Sequence, residues 1–511
     1  LTKINFYDTF SYIGDILKRE LWRKWYMEKD YLLKERPMRA ILMFALPMII
    51  GNLFQQFYTM ADSMVVGRYV SENALAAVGA SYSLTNVFIC IAIGGGVGSS
   101  VLTSRYFGAQ NYDRMKRSIS TALLSFLAIS LFLAVLGLLF GREFMIFLKT
   151  PEDILDMAVE YLNIYFLGLP FLFMYNVLSS MFNALGRSRI PLYLLIFSSV
   201  FNIVLDIYMV RSLGLGIAGV AWATLIAQGI SALFSFLIFL RELHTYPGQA
   251  VSSQQALSTL FESQNPFMES EKRWSLSQWI HKYYSVDELL SMCRVALPSI
   301  FQQSTVSIGM MLVQSVVNSF GPQMLAGFSA AMRVESICVV PMLALGNAMS
   351  SYTAQNLGAG QKDRVVKGYH SVLRLVVFFA VLLCLVLEFF HHSIISSFLG
   401  SDGTKLALDT GSGYLKFIGF FFTLIGMKMS TDGLLRGAAD MKMFTVANFA
   451  NLALRVIFAV TMAPRFGIAM VWYAVPLGWL VNFLISYCEY RTGKWKTALE
   501  ARQSASIGGS P

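Results

Sequence analysis

GAQNYDR at residues 108–114 returns as GAGQKDR at residues 358–364, so that Gly108, Ala109, Asp113 and Arg114 recur as Gly358, Ala359, Asp363 and Arg364. Both copies are short polar stretches between long apolar runs. ALPMI from Ala45 is echoed by ALPSI from Ala296, and GIAGVAW from Gly216 by GIAMVWY from Gly467. Three echoes in the same order, all displaced by about 250 positions, make the chain two copies of one folding unit.

The composition says what kind of unit this is. Of 511 residues, 56% are hydrophobic and 14% charged, and mean hydropathy is +0.57. A water-soluble globule could not hide that much apolar surface. Runs long enough to cross a bilayer core of roughly 30 Å as helices recur along the chain. The expected fold class is therefore an all-α polytopic membrane protein, with twelve transmembrane helices in two pseudo-symmetric six-helix lobes. The spans fall near residues 39–66, 75–101, 118–140, 156–181, 190–211 and 217–240, then 289–318, 326–352, 369–391, 411–436, 443–463 and 468–488. This divides the chain into a basic amphipathic segment (1–38), a first lobe (39–241), a linker (242–288), a second lobe (289–490) and a tail (491–511).

The formal net charge of +10 does not imply a nucleic-acid partner, because Lys and Arg cluster in short connections and at the chain ends. Arg114, Lys116 and Arg117, then Arg187 and Arg189, then Lys362, Arg364 and Lys367 lie on one side of the expected topology, whereas residues 150–160 on the other side are acidic. The positive-inside rule then places both termini in the cytoplasm. Before the first span, Phe6, Phe10, Ile13, Leu17, Leu21 and Trp25 recur at helical spacing among basic residues, a pattern suited to lying on an anionic bilayer surface. The first membrane helix is expected to direct insertion without a cleavable signal peptide.

Several chemistries find no support. The five cysteines show no CxxC spacing. GGGVGSS from Gly94 lacks the Lys of a phosphate-binding loop and lies inside an apolar run, where small residues serve close helix packing. Neither a Ser/His/Asp set nor a Walker sequence is present, so neither an enzyme nor an ATP-driven pump is expected, and no cofactor is implied.

The charges inside the apolar runs carry the functional signal. An ionised carboxylate at membrane depth is costly unless paired, hydrated or neutralised. At 1.5 Å of rise per residue, Asp62 and Asp206 lie about 6 Å from the outer ends of the first and fifth helices, and Thr224 about 10 Å into the sixth. Asn202 stands one turn below Asp206 on the same face. Together they read as oxygen ligands for Na⁺ or a relay for H⁺. Either acid alone could simply bond a neighbouring helix; their common depth is what joins them. The repeat acts as a control: NIVLD (202–206) aligns with NLALR (451–455), so Arg455 stands where Asp206 stands. In the second lobe Arg333 and Glu335 point to different helix faces. Glu335 could face the cavity and bind a cationic substrate, or pair within its own lobe.

Pro47 and Asp62 in the first helix, the two repeated loops, LLRGAAD at residues 434–440 and the paired six-helix halves together resemble the multidrug and toxic compound extrusion (MATE) family of the flippase superfamily, over residues 37–490. In detail the chain is similar to the DinF-like branch. That resemblance implies a first-lobe coupling site of Asp62, Asn202, Asp206 and Thr224, and a cavity lined by Gln55, Tyr58, Tyr161 and Asn176. Na⁺, if it is the coupling ion, would be held by those same four coupling residues. The resemblance also implies a bacterial plasma-membrane antiporter that exports bulky, often cationic and aromatic compounds in exchange for H⁺ or Na⁺ by alternating access. The fold needs no partner subunit, so a monomer in the lipid bilayer is expected. Pro47 withholds one helical hydrogen bond and permits a bend in the first helix as the acids are neutralised. Asp432 departs from the family pattern, as does the long linker. A lipid-linked oligosaccharide flippase is the alternative, and it would need a cavity rich in Arg and Lys.

Overall fold

The computed structural model describes residues 30–246, 283–399 and 404–497. The basic amphipathic segment before residue 30, most of the linker and the end of the tail lie outside the described residues. A single helical turn, Tyr31–Lys34, precedes α1 (Pro37–Tyr69). The first lobe continues with α2 (Glu72–Gly108), α3 (Tyr112–Phe147), α4 (Glu152–Ala184), α5 (Arg189–Ile207, running into a π turn at Tyr208–Ser212) and α6 (Gly216–His244). The second comprises α7 (Val286–Asn318), α8 (Pro322–Gly358), α9 (Lys362–Leu399), α10 in two segments (Lys405–Gly419 and Phe422–Gly437), α11 (Met441–Phe466) and α12 (Ala469–Thr492). Among the described residues eleven helices are each long and apolar enough to span a bilayer, twelve if the α10 pair, bent by 55°, is taken as one span.

The helices outrun their apolar stretches because their polar ends stay helical. α2 and α8 both extend to the repeated motif, and the motif explains where they stop. Gly108 ends α2; Gln110 takes a left-handed φ of 56°; Asn111 then caps α3 by accepting the Arg114 N–H at 3.2 Å. In the second copy Gly358 ends α8 and Gly360 adopts the same hand at 73°. The closing bonds also correspond: Asn111 N–H to Tyr106 O at 3.0 Å and Gln361 N–H to Asn356 O at 2.8 Å.

The two copies meet. A Cβ at Gly108 would lie 2.0 Å from Gln355 O, and one at Gly358 would lie 2.0 Å from Arg105 O. The ends of α2 and α8 therefore cross backbone to backbone at the pseudo-twofold axis, an approach only glycine permits. Farther into the bundle, Gly94 and Gly98 of the GGGVGSS stretch lie against the backbone of Ile300 and Ala296 in α7. Ile49 of α1 packs with Val340 and Ala344 of α8 at mid-depth. The lobes are thus sealed together at the end of the bundle that carries the repeated motif, called here the motif end.

The Tyr31–Lys34 turn staples that seal. Tyr31 Oη donates to Gly186 O of the first lobe at 3.0 Å. Leu32 O accepts from Asn356 Nδ2 at 3.3 Å and from Arg364 Nη2 at 3.2 Å, both of the second lobe, and Arg364 also donates to Glu35 O. Burial pushes the Tyr31 hydroxyl well above its usual pKa, so it remains a donor. One buried neutral hydrogen bond contributes about 1 kcal/mol. Tyr31→Phe is expected to loosen the motif end about fivefold without unfolding the bundle, read as faster hydrogen exchange in residues 30–36 and 184–188. Unchanged exchange there would remove the staple from the account.

Candidate functional site

α1, α4, α5 and α6 converge on one polar centre in the first lobe. The π turn after Ile207 widens α5 directly beyond Asp206, a distortion often found where a helix presents a working side chain. Asp206 is fully buried and Asn202 is 2% exposed. The side chains of Asp62 and Asp206 come within interaction range of each other, which brings together acids 144 positions apart in the chain. Two carboxylates this close repel when both are ionised, and one proton between them relieves that repulsion.

The orientation of the Asn202 amide follows from its neighbours. In one orientation its nitrogen donates to Thr224 Oγ1 at 3.4 Å; turned over, as the neighbours favour, the nitrogen donates to Tyr58 Oη at 2.6 Å and to Asp206 Oδ2 at 3.2 Å, and the oxygen accepts from the Thr224 backbone N–H at 3.1 Å. Tyr58 also bonds the Thr224 side chain, and the Thr224 hydroxyl donates to Val220 O at 3.0 Å. Tyr161 approaches both carboxylates closely enough to interact with them electrostatically. Among the described residues, Asp62 Oδ1 and Asp206 Oδ1 are buried without a hydrogen-bond partner. Those two atoms are where an added proton or a small hard cation fits.

A cavity of about 260 Å³ opens beside this centre, lined by Pro47, Gln55, Tyr58, Asn176, Asn202 and Thr224 among others. Tyr161 lines a smaller adjoining pocket with Thr224. No charged side chain lines the larger cavity: Asp62 and Asp206 stand behind Tyr58, Asn202 and Thr224. The cavity surface is thus uncharged, a mix of polar and apolar side chains, with the amide, the phenol and the hydroxyl in its front row. Pro47 is buried within a continuous α1.

Glu335 is not part of this group. It lies 6% exposed in the second lobe and accepts from Tyr414 Oη at 2.5 Å. Arg455, the counterpart of Asp206, acts on it electrostatically. Arg333 points outward, as the two-residue spacing requires. Asp432 pairs with Lys428 at 3.0 Å, both nearly inaccessible, and accepts from Ser486 Oγ at 2.7 Å. Asn448 closes the network by accepting from Lys428 Nζ at 3.2 Å. The signal for this pair was in the sequence, since a Lys and an Asp four residues apart in one helix face each other; Asn448 and Ser486 had none, being ordinary polar residues on other helices.

The Asn202 amide is the most exposed to test. Asn202→Ala strips a buried carboxylate of its donor and is expected to cost about 1–3 kcal/mol, lowering the thermal midpoint. Asn202→Asp, which adds a third acid, should be worse. A midpoint unchanged in both variants would mean that the amide does not hold the centre together.

The MatE family profile matches residues 47–208 and 298–461 of this chain, one match in each lobe. The chain belongs to the MATE family of membrane transporters of small molecules. It is 26% identical over 460 residues to the probable multidrug resistance protein YpnP of Bacillus subtilis (strain 168), covering 90% of this chain and 96% of that one. It is also 24% identical over 365 residues to the FAD transporter of Shewanella oneidensis, covering 70% of this chain and 74% of the other. A solved structure described as the outward-facing conformation of a multidrug resistance MATE family transporter superposes with a TM-score of 0.79 at 21% identity, covering 93% of this chain and 99% of that one. That likeness concerns the fold.

Proposed function

We propose that this chain is a proton-coupled antiporter that exports drug-like organic compounds, with its coupling site in the first lobe after the manner of the DinF-like branch. The observation that carries the reading is the close approach of two carboxylates, Asp62 and the fully buried Asp206, each with an Oδ1 that has no hydrogen-bond partner among the described residues. With its nitrogen turned toward Asp206, the Asn202 amide suits a proton on the acid pair better than Na⁺, which would draw on the amide oxygen.

The basic connections at the motif end support a cytoplasmic location for it by the positive-inside rule. The sealed motif end then corresponds to an outward-facing state, in keeping with the solved relative described that way. A proton entering from outside neutralises the Asp62 and Asp206 pair and weakens the hold of α5, through Asn202 and Asp206, on Tyr58 and Asp62 of α1. The resulting change in α1, which lacks one backbone bond at Pro47, is coupled to substrate release. The cavity takes one polar or cationic group of a bulky compound, being smaller than the roughly 300–1,000 Å³ of pockets that enclose a whole drug. It presents no Lys or Arg to a pyrophosphate, which weighs against the oligosaccharide flippase. The name of the YpnP relative supports drug export.

Transport of ethidium or norfloxacin into inverted proteoliposomes, measured under a pH gradient and under a Na⁺ gradient separately, tests the reading. The pH gradient alone should drive accumulation. Accumulation under the Na⁺ gradient alone would overturn the choice of ion, and none under either would overturn the antiporter.

A further inference from the structure

A second concavity, about 540 Å³, lies at the motif end between the N-terminal turn and the start of α9. Its walls carry Lys34, Arg36, Lys362, Arg364 and Lys367 with the carboxylate of Asp363 among them, and Lys34 pairs with Asp30 at 3.5 Å, which leaves the basic side chains in excess. The first turn of α9 adds the positive end of its helix dipole, since Lys362 and Asp363 begin that helix. One wall is firmly built: Arg364 is fixed by Leu32 O and Glu35 O, and its Nε is buried without a hydrogen-bond partner among the described residues. The transport cycle outlined above has no use for this cleft.

Its depth identifies what it takes. The apolar runs of α1 and α9 begin near residues 39 and 369, so the cleft at 34–37 and 360–367 sits within about two turns of the hydrocarbon boundary, at the level of phospholipid headgroups. Below it, one face of α9 provides a path for an acyl chain. Phe378, Val381 and Leu385 follow Lys367 at 11, 14 and 18 residues, spacings that return to the same side of a helix, and all three are exposed. A basic cleft above an exposed apolar helix face is complementary to an anionic head above a hydrocarbon tail. We propose that this cleft binds the phosphate headgroup of an anionic phospholipid, whose acyl chain lies along α9. The bound lipid bridges the N-terminal turn and the second lobe across the same contacts that seal the motif end, and so favours the sealed state. This proposal does not depend on which ion drives transport.

The test uses the full-length protein, delipidated in detergent, with binding followed by native mass spectrometry and by thermal midpoint. Three additions are compared: dioleoylphosphatidylglycerol, dioleoylphosphatidylcholine and inorganic phosphate. Phosphatidylglycerol is expected to bind and raise the midpoint, with phosphatidylcholine and inorganic phosphate well behind. Lys34→Gln, Arg36→Gln, Lys362→Gln and Lys367→Gln combined should weaken that binding at least about tenfold, given the contribution of each basic residue near an anionic surface. Neutralising Arg491, Lys494 and Lys496 in place of these should leave it intact. If the fourfold variant does not fold, Lys34→Gln with Lys367→Gln serves, and the matching Lys→Arg pair should retain binding. Equal binding of both lipids, an equal effect of inorganic phosphate, undiminished binding in the cleft variants, or equal loss in the Arg491 set would each overturn the proposal.

Discussion

Asp206→Asn is expected to abolish proton-driven accumulation of substrate while leaving the fold in place. The substitution keeps the shape of a side chain that is wholly buried and removes its capacity to exchange a proton. One proton moving down a gradient of one pH unit releases about 1.4 kcal/mol, enough to sustain about a tenfold substrate gradient per coupled proton. Wild-type proteoliposomes should approach that ratio, and Asp206→Asn should stay near unity. Asp62 loses its carboxyl partner but gains an amide one, so the thermal midpoint should move by no more than about 1–3 kcal/mol of stability permits. Substrate counterflow with no pH gradient separates loss of coupling from loss of binding. A variant that still builds a wild-type gradient would end the assignment of Asp206, and an Asp62→Asn variant doing the same would end that of the pair.

Gly358→Val should damage transport as severely by a different route. Its Cβ would lie 2.0 Å from Arg105 O, a backbone atom in the last turn of α2 with nowhere to retreat. Overpacking of this kind costs about 1–3 kcal/mol or more. Applied to one state of a two-state equilibrium, that shifts the population about 5–150-fold. The cost falls only on the state in which the motif ends touch, so the variant should populate a form open at that end. With the native cysteines replaced, a cysteine introduced as Ser179→Cys in the cavity should become reactive to an impermeant thiol reagent added from the motif side. Gly79→Ala, where nothing lies within 4 Å of the added methyl, should change nothing. Unaltered reactivity in Gly358→Val would mean that the crossing of α2 and α8 does not close the molecule.

Much of the architecture was legible in the chain. Bilayer thickness sets the length of an apolar run, and repetition sets the symmetry, so the twelve spans and the two lobes follow from one-dimensional pattern. The 55° bend in α10 did not, because nothing around Phe420 and Phe421 resembles a proline kink. At the polar centre, helical rise alone gave Asp62, Asp206 and Thr224 a common depth. The neutral front row of the cavity was invisible, since depth along an axis says nothing about which of several polar side chains stands nearest the open space. Glu335 stayed open between two readings for the same reason: in sequence, a buried carboxylate satisfied by Tyr414 of another helix looks like one that faces a substrate.

The sequence by itself determined a membrane protein of two repeated six-helix lobes, with titratable acids in the first lobe and Arg455 in their place in the second. These are properties of residue order, helical rise and the cost of charge in hydrocarbon. Only the tertiary structure decided that Asp62 and Asp206 come together with Asn202 and Tyr58 beside them, and that the backbones at Gly108 and Gly358 cross at the lobe interface. Those outcomes depend on the rotation and approach of separate helices, which are settled when side chains hundreds of residues apart compete for the same space.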